Sequence, residues 1–343
     1  MIEKILLSGY TKRESQGVYS VLLDTEKGEL AQLTEVARVG NPTYLTLDAH
    51  GHLYTVAAGA GKVGGTAAFS FDGEKATPLN EVMTLGASNC YVAVDEARNL
   101  VYGANYHEGE VRVYKREKDG TIELVDTVKH EDHHGPKPEQ TGALCHYANL
   151  TPDNKLVVCD LGNDSVSVYD VAESGKLTEF SVYQSAPGSG DRHITFSPDG
   201  KTAYLACELD STVEVLEYSD GEFSLLQKTT TLPAHHKGFN GLAAIRLSSD
   251  GKFLYVSNRG HDSLAVYKVA ADGRSIELMD VVKTEGNIPR DFNFAGDEQF
   301  ILVAHQDSDN LTLFKRDQKT GKLKLLQKDF YAPEITCVLP VQQ

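Results

Sequence analysis

The stretch "DRHITFSPDGKTAYLACELDS", residues 191–211, decides the fold. Its middle alternates apolar and polar residues on both sides of a Ser-Pro-Asp-Gly turn, which is typical of a β-hairpin. In an antiparallel hairpin, residues equally distant from the turn lie side by side. Arg192 and His193 therefore emerge near Glu208, at the open end of the hairpin. Costly polar groups at both ends of an apolar unit need an explanation.

Hairpins of this kind recur along the chain. Each apolar hairpin is usually followed by a more polar one that alternates around a glycine turn, such as "EVRVYKREKDGTIELVDTV" at residues 110–128. The spacing between successive turn aspartates is close to the ~40–50 residues of a four-stranded propeller blade. These aspartates are Asp48, Asp95, Asp153, Asp199, Asp250 and Asp297.

A further blade is divided between the two ends of the sequence. "EKILLSGY" (3–10) resembles the second strand of an apolar hairpin, and "EITCVLPV" (334–341) supplies the first. Pairing of these two strands closes a ring and removes exposed sheet edges. The sequence therefore predicts an all-β, seven-bladed β-propeller of four-stranded antiparallel blades, forming one domain over residues 1–343.

Composition limits the possible partners. The chain has 33 Lys and Arg against 49 Asp and Glu, a net charge of −16, so its average surface repels nucleic acids and anionic membranes. No segment approaches the ~18 apolar residues of a membrane span, and the first residues do not resemble a signal peptide. The five cysteines lack metal-binding spacing and indicate buried reduced thiols. We therefore predict a cytoplasmic protein, a monomer or weak homo-oligomer, without nucleic-acid or membrane partners.

The unusual polar residues of several hairpins fall at one mouth of the predicted ring. The alternative for any one of them is structural, because buried ions need partners and Arg192 could pair with Glu208 within one blade. Four of them come from three different blades, which favours a functional site. These four are His146, Arg192, Glu208 and Arg259.

The same residues carry a family resemblance. The motifs are "CHYANLTPDNKLVVCDLGNDSVSVYDV" (145–171), "RHITFSPDGKTAYLACELDSTVEVLEY" (192–218), "DGKFLYVSNRGHDSLAVYKV" (250–269) and "HQDSDNLTLF" (305–314). With them the chain resembles the seven-bladed propeller lactonases, which include a bacterial type of 6-phosphogluconolactonase and the fungal carboxymuconate lactonising enzyme. The resemblance implies that His146, Arg192, Glu208 and Arg259 are catalytic.

The chain departs from the family pattern in three places. Leu144 stands where the family commonly has a first histidine, Ala244 replaces a frequent glutamate, and "TVAAGA" (55–60) replaces a frequent Asn-Glu. The four central residues are retained. The resemblance therefore implies hydrolysis of a small anionic sugar lactone, and the first candidate substrate is 6-phospho-D-glucono-1,5-lactone of the pentose phosphate pathway. A muconate-type cycloisomerase and a non-catalytic binding propeller are the alternatives.

Lactone opening needs an activated water, a positive environment for the oxyanion and a proton for the leaving oxygen. We expect His146 to act as base on water or as acid to the ring oxygen, and Arg192 and Arg259 to stabilise the oxyanion. Glu208 would orient Arg192 or share the proton transfer. The predicted substrate-binding residues are His193, Arg290 and Asn258, the first two as candidates for a phosphate.

Two histidine-rich loops raise the question of a metal. Both are polar and rich in glycine or proline, and adjacent histidines do not readily point at one ion. The sequence therefore predicts a metal-independent site without a cofactor. The side chains concerned are His130, Asp132, His133, His134, His235 and His236.

Overall fold

A computed structural model describes residues 1–341 of the chain. The described residues form 28 strands and no helix, so no helix there could span a membrane. The predicted domain ends at residue 343, and its last two residues lie outside the described range. The strands are β1 (Ile2–Gly9), β2 (Gly17–Asp24), β3 (Glu29–Arg38), β4 (Leu45–Leu47), β5 (His52–Ala58), β6 (Val63–Phe71), β7 (Ala76–Leu85), β8 (Tyr91–Asp95), β9 (Leu100–Asn105), β10 (Glu110–Arg116), β11 (Ile122–Lys129), β12 (Cys145–Leu150), β13 (Leu156–Asp160), β14 (Ser165–Val171), β15 (Leu177–Gln184), β16 (Asp191–Phe196), β17 (Thr202–Cys207), β18 (Thr212–Ser219), β19 (Glu222–Thr230), β20 (Gly241–Leu247), β21 (Phe253–Arg259), β22 (Ser263–Val269), β23 (Ile276–Lys283), β24 (Pro289–Ala295), β25 (Phe300–His305), β26 (Asn310–Arg316), β27 (Leu323–Tyr331) and β28 (Ile335–Pro340).

Over residues 1–341 the strands form seven antiparallel sheets of four strands each. Six sheets use consecutive strands, starting at β4, β8, β12, β16, β20 and β24. The seventh has the order β28-β1-β2-β3, with Leu6 opposite Leu339. The innermost strands of neighbouring sheets contact one another around the circle. The predicted seven-bladed ring, closed by the first and last strands, is confirmed.

Three inner hairpins turn in the same way, with a Ser or Thr hydroxyl donating to the Asp two residues later. In the turn between β16 and β17, the Ser197 hydroxyl donates to Asp199 Oδ1 at 2.6 Å, and Lys201 N donates to the same oxygen at 3.1 Å. Gly200 follows with φ +71°, a left-handed conformation that glycine adopts without strain. The Ser-Pro-Asp-Gly sequence thus fixes the end of the hairpin that lies away from the polar mouth.

Buried tyrosines join successive blades. The hydroxyl of Tyr54 donates to the carbonyl of Gly120, which belongs to the outer turn of the next blade, at 3.1 Å. Tyr204 and Tyr255 repeat this contact with Gly273 and Gly321, each at 2.8 Å. Each ring fills apolar space while its hydroxyl is satisfied. The result is a rigid scaffold around the central channel.

Candidate active site

Bulges in the innermost strands aim side chains into the channel. The pairing of β12 with β13 skips His146, the pairing of β16 with β17 skips Arg192, and the pairing of β24 with β25 skips Arg290. An extra residue of this kind bends the strand and re-aims its side chain. Three polar residues from three blades therefore reach the channel at the same level.

A second level comes from the ends of the second strands. Glu208 directly follows β17, Arg259 ends β21, and Tyr10 and Tyr106 directly follow β1 and β9. These positions are equivalent in their hairpins, and all four residues border one cavity. We call it the upper cavity; its volume is about 410 Å³. Its charged and titratable lining includes His146, Glu208, Arg259, Arg290, Tyr106 and Lys12.

Asn258 is placed elsewhere. Side chains alternate between the two faces of a strand, so the residue before Arg259 points away from the channel. Asn258 is fully buried, and its Oδ1 accepts from Thr231 at 2.7 Å and from Asn240 at 3.0 Å. The structure does not bring this predicted binding residue to the upper cavity.

Glu208 lies between two guanidinium groups. Its Oε1 is 2.7 Å from an Nη2 of Arg259, and its Oε2 is 2.8 Å from Arg192 Nε. The Arg192 Nε–H is not aimed at that oxygen, so this second contact is an ion pair rather than a hydrogen bond. Arg192 is held instead by its Nη1, which donates to Ala243 O at 2.7 Å. One carboxylate thus joins cations from two blades.

Burial and these neighbouring charges together set the protonation states of Glu208 and Arg192. Burial alone would raise the pKa of Glu208, but Arg259 and Arg192 more than compensate and lower it. Burial lowers the pKa of Arg192 to about 9, against the opposing effect of Glu208. At neutral pH the site therefore contains a carboxylate and a protonated Arg192.

His146 is the uncharged member of the group. Burial lowers its pKa well below the usual value, and the nearby Arg192 and His193 lower it further. Its Nδ1 is buried and has no hydrogen-bond partner in residues 1–341. Edge-on contacts with Tyr106 and His193, at ring-centroid distances of 5.6 and 5.2 Å, hold the imidazole in place. The imidazole is therefore neutral at pH 7 and available to accept a proton, and the imidazolium that forms beside these cations gives the proton up readily.

His193 lies below this level, where the channel narrows. Its Nε2 is 3.3 Å from Arg192 Nη1, and its ring packs edge-on against Tyr91 at 5.5 Å. It borders a second space of about 250 Å³, the lower cavity, which opens toward the hairpin turns and also contains Arg246. His193 thus separates two cavities instead of lining the upper one.

The sequence-based prediction of the site lacks Tyr10, Lys12, Tyr106 and Arg246. The first three follow the second strands of two blades, so the pairing of antiparallel hairpins also brings them to the mouth. Arg246 is the only cation in the run "GLAAIRL" of β20. It pairs with buried Asp291 at 2.9 Å, and burial raises the pKa of that carboxyl.

One group of described residues has the composition of a metal site. His130, Cys145 and Asp160 place potential ligand atoms within 4.8 Å of one another. However, Asp160 already accepts from Leu144 N at 2.8 Å and is 2.8 Å from His130 Nδ1. Burial raises the pKa of the Cys145 thiol well above its usual value, which disfavours the thiolate that a metal needs. The group is better suited to fixing the strand that carries His146.

The other loop histidines do not join this group. Among the described residues, His133 is held by its backbone N–H, which donates to Asn163 Oδ1 at 3.0 Å, and not by its imidazole. The backbone N–H of Ala143 donates to Asp132 Oδ1 at 2.9 Å, and His236 packs on His261 at 5.0 Å.

Comparison with known proteins agrees with this architecture. A Bacillus subtilis protein described as 6-phosphogluconolactonase is 39% identical over 335 residues, covering 96% of this chain and 95% of its own. A Lactobacillus plantarum crystal structure is 49% identical, with a TM-score of 0.98 and full coverage of both chains. The structure of a Pseudomonas aeruginosa periplasmic gluconolactonase is 30% identical, with a TM-score of 0.93 over 100% of this chain and 99% of its own. The family model described as "Lactonase, 7-bladed beta-propeller" matches residues 4–340, and the chain belongs to this family.

Proposed function

We propose that the protein hydrolyses a sugar lactone in the upper cavity. The observation that carries this proposal is the meeting of neutral His146 with a Glu208 carboxylate held between two arginines. His146 and Arg259 then face the same space, and Arg192 lines the adjoining narrow part of the channel together with His146. Membership of the lactonase family supports the reaction class.

His146 is the proposed general base. It takes a proton from water as the water oxygen bonds to the lactone carbonyl carbon. The bond between that carbon and the ring oxygen then breaks, and the imidazolium returns the proton to the departing oxygen. Water is consumed and an open-chain hydroxy acid is formed. The lowered pKa keeps the imidazole neutral at pH 7, so that it is free to accept the proton, and makes the imidazolium acidic enough to return the proton to the departing oxygen.

Arg192 and Arg259 are the proposed oxyanion stabilisers. Their positive charges are fixed before the reaction, so no reorganisation is needed when the carbonyl oxygen becomes negative. Glu208 is the proposed positioning residue, since it contacts both guanidinium groups. It keeps two neighbouring cations in place that would otherwise repel each other.

The substrate that we propose is 6-phospho-D-glucono-1,5-lactone, which would place the protein in the pentose phosphate pathway. Support comes from the name of the Bacillus subtilis relative and from the cations that line the cavity of a protein with net charge −16. Its five cysteines are unpaired, which supports the expected cytoplasmic location.

The direct test is an enzymatic one. The phosphorylated lactone is generated in situ, and its disappearance is compared with spontaneous hydrolysis, with glucono-1,5-lactone and a muconolactone assayed in parallel. Acceleration that is lost in His146→Gln supports the proposal. A rate equal to the spontaneous one for all three lactones would refute it.

A further inference from the structure

The upper cavity has two chemically different sides. On one side, the lining residues Glu208 and Arg259 form an ion pair, and Glu208 also contacts Arg192, which lines the narrow part of the channel instead of the cavity. On the other side are Lys12 and Arg290, neither of which forms an ion pair within residues 1–341. Arg290 has a neutral partner, since its Nη1 donates to Gln306 Oε1 at 2.9 Å. The second side therefore keeps its positive charge.

An aromatic ring brings these two cations together. Lys12 Nζ lies 4.0 Å from the centre of the Tyr10 ring, and the Arg290 guanidinium lies 5.7 Å from it. Cations are attracted to the face of an aromatic ring, so Tyr10 stabilises their proximity without neutralising them. The charge remains available to a ligand.

The loop that carries Lys12 is anchored from below. Glu334 is 1% exposed, and its two carboxylate oxygens accept the backbone N–H groups of Lys12 at 3.0 Å, Arg13 at 2.9 Å, Glu14 at 3.1 Å and Ser15 at 3.2 Å. A carboxylate held by successive backbone N–H groups fixes the course of a loop. Lys12 is therefore presented to the cavity by an ordered backbone, although its side chain reaches solvent.

The charges define the ligand class. Lys12, Arg259 and Arg290 line the upper cavity, and Glu208 is its only lining carboxylate among the described residues. These lining side chains carry three positive charges and one negative charge at pH 7. A phosphate monoester carries −1.5 to −2 at that pH and offers three acceptor oxygens, which matches the excess.

We infer that Tyr10, Lys12 and Arg290 form a subsite for the phosphate of a phosphorylated sugar lactone or sugar acid. This inference rests on the proposed function, since it assigns the far end of the same substrate. It also separates the phosphate from His193, which faces the narrow part of the channel and the lower cavity.

The test compares ligands that differ only at the sixth carbon. Binding of 6-phosphogluconate, gluconate and glucarate is measured by calorimetry for the wild type, Lys12→Gln and Arg290→Gln. The matched control is Arg13→Gln, because Arg13 lies in the same loop but pairs with Asp309 at 2.6 Å outside the cavity. A charge-assisted hydrogen bond corresponds to about a 10- to 100-fold change in affinity.

We expect Lys12→Gln and Arg290→Gln to weaken 6-phosphogluconate at least about tenfold, with gluconate unchanged, and Arg13→Gln to match the wild type. Equal wild-type affinity for 6-phosphogluconate and gluconate would overturn the subsite. So would equal weakening of both ligands in Lys12→Gln. If glucarate matches 6-phosphogluconate in affinity and in its response to the variants, the subsite recognises charge alone and the phosphate assignment is wrong.

Turnover separates this inference from the proposed function. If the wild type hydrolyses the lactone but Lys12→Gln has unchanged KM for its phosphorylated form, the subsite is wrong and the lactonase proposal survives. If no lactone is hydrolysed but the binding pattern holds, the lactonase proposal fails and the phosphate subsite stands.

Discussion

Replacing Glu208 by Gln tests the charge arrangement of the site most directly. Glutamine preserves the shape but removes the negative charge between Arg192 and Arg259. The side chains of the three residues are 17%, 3% and 12% exposed, so water screens the pairs only partly. Removing one partner of a buried ion pair costs about 3–5 kcal/mol. We take about 3 kcal/mol, because Glu208 borders an open cavity.

This free energy corresponds to a measurable melting shift. Unfolding entropy is about 2.1 cal/mol/K per residue, or about 0.7 kcal/mol/K for a chain of 343 residues. A loss of about 3 kcal/mol therefore lowers Tm by about 4 °C. Scanning calorimetry at pH 7 measures the shift, and Glu222→Gln, which changes an exposed residue at the start of β19, is the control.

The pH dependence gives the prediction a sign. The folded pKa of Glu208 is lowered from its usual 4.5, so its contribution is present above the unfolded pKa and is lost as pH falls through the folded pKa. The Tm difference between wild type and Glu208→Gln is therefore constant from pH 7 to pH 5 and shrinks below pH 4.5. A difference that is absent at pH 7, or that persists unchanged down to pH 3, would refute the reasoning.

Three other predictions concern catalysis, the support of β12 and the thiols. His146→Gln lowers kcat/KM for the lactone by about 10²–10⁴. The wild-type rate stays level from pH 8 down to pH 6.5, because the lowered pKa of His146 keeps the imidazole neutral in this range. A rate that begins to fall above pH 6.5 contradicts this role. Asp160→Asn lowers the free energy of unfolding, measured in urea, by about 1–3 kcal/mol, because the Asp160 carboxylate accepts from Leu144 N and contacts His130. The control is Asp170→Asn, which changes an exposed residue, and equal stability of the two variants opposes the prediction. Ellman's reagent at pH 8 labels none of the five cysteines of the native protein within minutes, and it labels all five after unfolding. The reason is burial, which raises the pKa even of the cavity-lining Cys90 thiol to about 12. Rapid labelling of one thiol in the native protein would contradict this prediction.

Much of the fold was predictable because its signals are local and repeated. Ser-Pro-Asp-Gly and its variants mark each inner turn, and period-2 alternation marks the strands on either side. Six such units leave two unmatched strands at the ends of the sequence, and their pairing follows from the need to cover sheet edges. The same counting brought His146, Arg192, Glu208 and Arg259 to one mouth.

The finer placement of the site residues depends on single-residue shifts. A change of one position moves a side chain to the opposite face of a strand, so Asn258 and Arg259 separate although they are neighbours. Bulges at His146, Arg192 and Arg290 are not encoded in any turn signal. Lys12 and Tyr10 belong to a loop whose course depends on Glu334, more than 300 residues away in the chain. No periodicity reports such a contact.

The bulges have a consequence for how such a molecule diversifies. Each bulged residue is unpaired in its ladder, so its identity is uncoupled from the hydrogen bonding that holds the blade together. A substitution there changes what faces the channel while leaving the surrounding architecture intact. The ring thus offers a variable position in each of these three blades, where evolution or an engineer could exchange reactive groups and change the chemistry without redesigning the scaffold.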